Sequence, residues 1–143
     1  MTPQRVTLIT LGVDDLDRAK AFYGALGWVP TEQQDGVVFY QINGLVLGLF
    51  GRAALAKDQG RPAAKLGTGA MTLAQNFSTK EDVDAAFALA IRSGAKVLKL
   101  PEEVFWGGYS GYYADPDGHV WEVAFNPFWT LSEDGSLTLP APE

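Results

Sequence analysis

The chain has 143 residues, 47% hydrophobic and 20% charged, a size and balance that suit one soluble domain with a real core. It has no cysteine, which excludes disulfides and thiolate chemistry and leaves His, Asp, Glu or Gln as metal donors. A net charge of −6 disfavours nucleic acid phosphates and suits a cationic ligand. No apolar run approaches the ~20 residues of a membrane span, and "MTPQRVTLIT" lacks a signal-peptide pattern, so a cytoplasmic location is expected.

"RVTLITLGV" alternates and is rich in Val, Ile, Leu and Thr, which predicts a strand. In "DDLDRAKAFYGALGW", Asp14 or Asp15 can cap a helix whose apolar face is Leu16, Ala19, Phe22, Tyr23 and Leu26, with Gly27 at its stop. "GVVFYQING" and "LVLGLFG" predict a hairpin around Asn43-Gly44. "RAALAKDQGRPAAKLGTG" reads as a short helix and a linker. "AMTLAQNF" predicts a strand. "STKEDVDAAFALAIRSGA" predicts a helix capped by Ser78 or Thr79, with Val83, Ala86, Phe87, Ala90 and Ile91 inward. "KVLKLPEEVFWGG" is a strand entering an aromatic loop. "YSGYYA" and "HVWEVAF" form a second hairpin around Asp115-Pro116-Asp117-Gly118, where Pro presets φ and Gly frees the exit.

The two halves can be superposed. Leu16–Gly27 matches Val83–Gly94, and Gly44 matches Gly118 after a longer loop. This indicates an α+β fold of two tandem βαβββ modules, their curved mixed sheet enclosing a cleft. Module one covers about residues 5–51, a linker about 52–68, module two about 69–127 and a tail 128–143, all within a single domain.

"LGVDDLDRAKAFYGALGW" and "YYADPDGHVWEVAFNP" together resemble the vicinal oxygen chelate superfamily, the group of glyoxalases, bleomycin-resistance proteins and extradiol dioxygenases. The first is similar to the group's opening strand and helix. The second is similar to its closing hairpin, with a glutamate on the last strand. In catalytic members one divalent metal takes ligands from the first and last strands of each module. Carried over, those positions are Leu8, Gly48, Thr72 and Glu122, with Gln75 as the alternative to Thr72 if the register slips. Leucine and glycine offer no donor, so the resemblance implies no family metal site. If a metal exists, Glu122 and Gln75 are its expected ligands.

Alternation puts Trp121, Val123 and Phe125 on one face of the last strand and Val120, Glu122 and Ala124 on the other. In the first module Ile9, Leu11, Val13, Leu47 and Leu49 are expected inward, and Leu8, Thr10, Gly12, Val46, Gly48 and Phe50 toward the cleft. Phe105, Trp106, Tyr109, Tyr112 and Tyr113 crowd the segment before the last hairpin and suit a planar or cationic ligand. The expected ligand-binding residues are Glu122, Phe50, Thr72, Gln75, Trp106, Tyr109 and Tyr112. Glu122 is the one expected catalytic group, as acid or base, if the protein is an enzyme. His119, the only histidine, is read as a turn residue, and no nucleophile stands near it.

These observations favour a binding protein of the sequestering type for a small aromatic or cationic molecule, without a cofactor and as a homodimer. The alternatives are a metal-dependent lyase, isomerase or dioxygenase of the glyoxalase type using Glu122, and a metal-free enzyme using Glu122 alone.

Overall fold

The computed structural model describes residues 1–142. The chain divides into two units, Met1–Gly67 and the remainder from Thr68 onward.

In the first unit, β1 (Leu8–Val13) leads into α1 (Leu16–Ala25). Asp15 caps the helix by accepting the Arg18 amide at 3.0 Å. Gly27, at φ 98°, turns the chain out of it. Then follow β2 (Glu32–Gln34), β3 (Val37–Ile42), β4 (Leu45–Gly51) and a short α2 (Arg52–Asp58). The sheet order is β1-β4-β3-β2, with β1 and β4 parallel and the rest antiparallel.

Alternation decides which face is buried. Leu11, Val13, Val38, Tyr40, Leu47 and Leu49 form the core with Ala19, Phe22 and Tyr23 of α1. Leu11, Val13, Leu47 and Leu49 are four of the five side chains that the sequence predicts inward on β1 and β4; the fifth, Ile9, is half-buried. The core is aromatic at one end: Tyr23, Trp28 and Tyr40 lie 5.4–6.2 Å apart, centroid to centroid. Tyr40 is 2% exposed, and its hydroxyl has no hydrogen-bond partner among the described residues. Burial pushes its phenol pKa up. An unpaired buried hydroxyl costs about 1–3 kcal/mol. Tyr40→Phe is therefore expected to keep the fold and raise stability by about 1 kcal/mol, read as a higher urea midpoint; a lower midpoint would show that the hydroxyl is satisfied.

The second unit repeats the plan with β5 (Thr72–Phe77), α3 (Lys80–Arg92), β6 (Lys96–Glu103), β7 (Tyr109–Ala114) and β8 (Val120–Phe125). Its order is β5-β8-β7-β6, again with the first and last strands parallel. Thr79 caps α3 through the Asp82 amide at 3.1 Å, and Gly94 at φ 113° ends the turn that follows it. Val83, Phe87 and Ala90 of α3 bury one sheet face, which carries Tyr113, Trp121 and Val123.

One feature was not visible in the pattern. β2 is all polar and fully exposed, so it has no periodic apolar signal. As the second hairpin predicts, Tyr109, Tyr112 and Tyr113 belong to β7, and only residues 104–108 form the turn before it.

Candidate functional site

β8 forms because Val, Trp, Val and Phe alternate with smaller or polar residues, and a carboxylate stands at its middle. Its register fixes the surroundings of that carboxylate. Glu122 lies beside Ala74 of β5 and Tyr112 of β7. Trp121 and Val123 are buried under α3, so Glu122 takes the opposite face, half-buried. Thr72 and Asn76 share that face on β5, and Ala124 shares it on β8.

Tyr112 is the polar neighbour. It stands directly across from Glu122 in the β7–β8 register. Burial pushes the Tyr112 phenol pKa up, and the nearby charge of Glu122 pushes it further. Lys99 of β6 stands across from Tyr112 and partly offsets that rise. The Lys99 ammonium also pairs with Glu102 at 3.0 Å. The result is a cross-strand row of carboxylate, phenol and ammonium on one face.

The expected site residues divide accordingly. Glu122, Thr72 and Tyr112 share a face. Gln75 lies beside Val123, on the α3 side of the sheet, so it and Glu122 project from opposite faces and do not converge on one ion. Tyr109 also lies on the α3 side. Its hydroxyl donates to Asp84 of α3 at 2.7 Å, and the Lys80 ammonium sits 5.8 Å from its ring centre. Trp106 is in the turn, 45% exposed, with its indole folded over Gly108 so closely that a Cβ there would lie 2.2 Å from the ring. Phe105 beside it projects fully into solvent. Phe50 belongs to the first unit, beside Gly12 and Val37 on the face opposite α1.

Lys99 is the residue that sequence reasoning missed. Regular pairing from Val97–Tyr113 would have put Leu98 opposite Tyr112; a register shift puts Lys99 there instead. Pro101, which cannot donate to a strand partner, was the available signal for irregular pairing in β6. His119 is a turn residue, its amide donating to Asp115 Oδ1 at 2.9 Å.

In the first unit the position matching Glu122 is Gly48, which lies between Thr10 and Phe39. The Phe39 ring occupies the space of the missing side chain, 3.2 Å from where a Cβ would be. Leu8 and Thr72 occupy matching places on β1 and β5, beside Val46 and Val120. Of the four positions that would hold a family metal, one has a carboxylate, one a hydroxyl and two no donor. Among the described residues, no three His, Asp or Glu side chains form a group able to hold a metal ion. The family's four-ligand set is therefore incomplete within this chain.

Repeated four-stranded mixed sheets, each with one helix across its buried face, define a glyoxalase-like α+β protein. Residues 5–123 match the Glyoxalase/Bleomycin resistance protein/Dioxygenase superfamily, and the chain belongs to that superfamily. A structure described as a glyoxalase-related enzyme from Fulvimarina pelagi is 39% identical, with a TM-score of 0.91, covering 97% of this chain and 100% of the other. Lactoylglutathione lyase from Agrobacterium tumefaciens is 26% identical, with a TM-score of 0.69, over 90% of this chain and 98% of the other. An uncharacterized protein of Mycobacterium bovis is 44% identical over 45 residues, 32% of this chain; the match spans only 30% of that relative's length. No helix among the described residues is long and apolar enough to cross a membrane.

Proposed function

We propose that this protein holds a small aromatic or cationic molecule on the Glu122 face of its second unit, as a sequestering member of the superfamily that works without the family's full metal site. The placement of Glu122 carries this reading: a half-buried carboxylate at mid-strand, with the uncharged Tyr112 on one side and the small side chain of Ala74 on the other. Trp106 adds an exposed aromatic surface in the same unit. The chain's net charge of −6 favours a cation.

A charge-assisted contact to such a carboxylate is worth about 1.5–3 kcal/mol. Titration calorimetry with planar cations such as berberine and ethidium is expected to show binding that Glu122→Ala weakens about tenfold or more. Tryptophan emission should be quenched on binding, and less so in Trp106→Ala. An unresponsive protein across the panel, or one indifferent to Glu122→Ala, would overturn the proposal. The reading takes the protein to be a cytoplasmic homodimer, a state that light scattering on the purified chain reads directly.

The names of the related structures favour a second reading, a metal-dependent lyase, isomerase or dioxygenase using Glu122. Leu8 and Gly48 oppose it. Elemental analysis of protein purified without chelators separates the two: stoichiometric Zn, Ni, Mn or Fe, lost in Glu122→Ala, selects the enzyme.

A further inference from the structure

We infer that the ligand is amphoteric: a flat molecule with an N–H cation against Glu122 and an acidic group against Lys99, spanning the Tyr112 ring between them. This rests on the binding reading above and narrows its ligand class.

The row Ala74, Glu122, Tyr112, Lys99 crosses the sheet from β5 to β6 at one level. Neighbouring strands are about 4.8 Å apart, so the two steps from β8 to β6 separate the charged positions by about 10 Å. The two ends differ in how they are neutralised. The cross-strand neighbours of Glu122, Ala74 and Tyr112, carry no positive charge, so its charge is left for a ligand cation. Lys99 is met by Glu102, but both side chains are about half exposed, and exposed pairs of this kind have little net worth. A ligand carboxylate can therefore replace Glu102 at small cost. Tyr112 lies between the two, and a planar ring bridging the ends has an aromatic surface to lie on.

The test is an NMR titration of the full chain with 4-guanidinobenzoate, phenylguanidine and benzoate. The expected result is that 4-guanidinobenzoate binds about fivefold more tightly than phenylguanidine, the range of one exposed ion pair. Lys99→Met should reduce it to the level of phenylguanidine. Glu102→Gln, which removes the internal competitor from an exposed position, should tighten 4-guanidinobenzoate and leave phenylguanidine unchanged. Equal affinity of the two guanidines for the natural protein, or an advantage that survives Lys99→Met, would overturn the inference and leave the cation site standing. If neither guanidine nor any planar cation binds, the binding reading itself fails, and the inference with it.

Discussion

Gly111→Ala is expected to destabilise the protein by about 2–3 kcal/mol, the upper range for overpacking. Gly111 sits in β7 opposite Val123, where β6 crosses closest to it. A Cβ at this position would lie 2.8 Å from the Pro101 nitrogen and 3.0 Å from the Lys99 carbonyl oxygen. Both are backbone atoms of β6, so no side-chain rotation can relieve the clash. The strand itself has to move, which disturbs the irregular pairing that brings Lys99 to Tyr112. Urea unfolding gives the stability change. The titration with 4-guanidinobenzoate should then show a reduced preference over phenylguanidine even in protein that remains folded. A substitution that leaves the urea midpoint unchanged would mean that β6 packs less tightly than described.

Asp115→Ala is expected to cost about as much, 2–4 kcal/mol, for a polar reason. Asp115 is 3% exposed at the hairpin before β8. Its Oδ1 accepts the amides of Asp117 at 3.0 Å and His119 at 2.9 Å. Its own backbone closes the turn, its amide donating to the His119 carbonyl and its carbonyl accepting from Gly118, both at 2.9 Å. Alanine would leave two amides without their acceptor in a place water reaches poorly. Asp115→Asn keeps an oxygen there and should recover most of the loss. Equal loss in Asn and Ala would point to the charge, not the hydrogen bonds, as the source of stability.

The turn shows how far the sequence could be read. Asp-Pro-Asp-Gly predicts a tight reversal from Pro and Gly alone, and Gly118 does take φ 93°. That the first Asp ties the loop from inside was not legible, because the same side chain in an exposed turn would face water. The helices were legible because capping and apolar spacing agree: Asp15 and Thr79 are the caps, and the residues buried on α1 and α3 fall on the predicted faces. The faces of β1, β4 and β8 followed from strict alternation.

The site was legible only where alternation was unbroken. Glu122 falls on the face its position in β8 requires. Gln75 is three residues from Thr72, an odd step, so only one of them can share a face with Glu122. The β5–β8 register, which depends on two distant strands, makes it Thr72. Tyr109 and Tyr112 are likewise an odd step apart and point to opposite faces once both are placed in a strand. The predicted strand "YSGYYA" already imposed that constraint, and naming both as ligand-binding residues set it aside.

The ring that overlies Gly48 makes the two halves unequal in what they can become. Restoring an acid group to the first half takes more than a change at that glycine, because the neighbouring phenylalanine already fills the room and must shrink or swing out in step. New chemistry is therefore easier to build by substitution in the half that carries the glutamate than in the half whose matching place is filled by a ring.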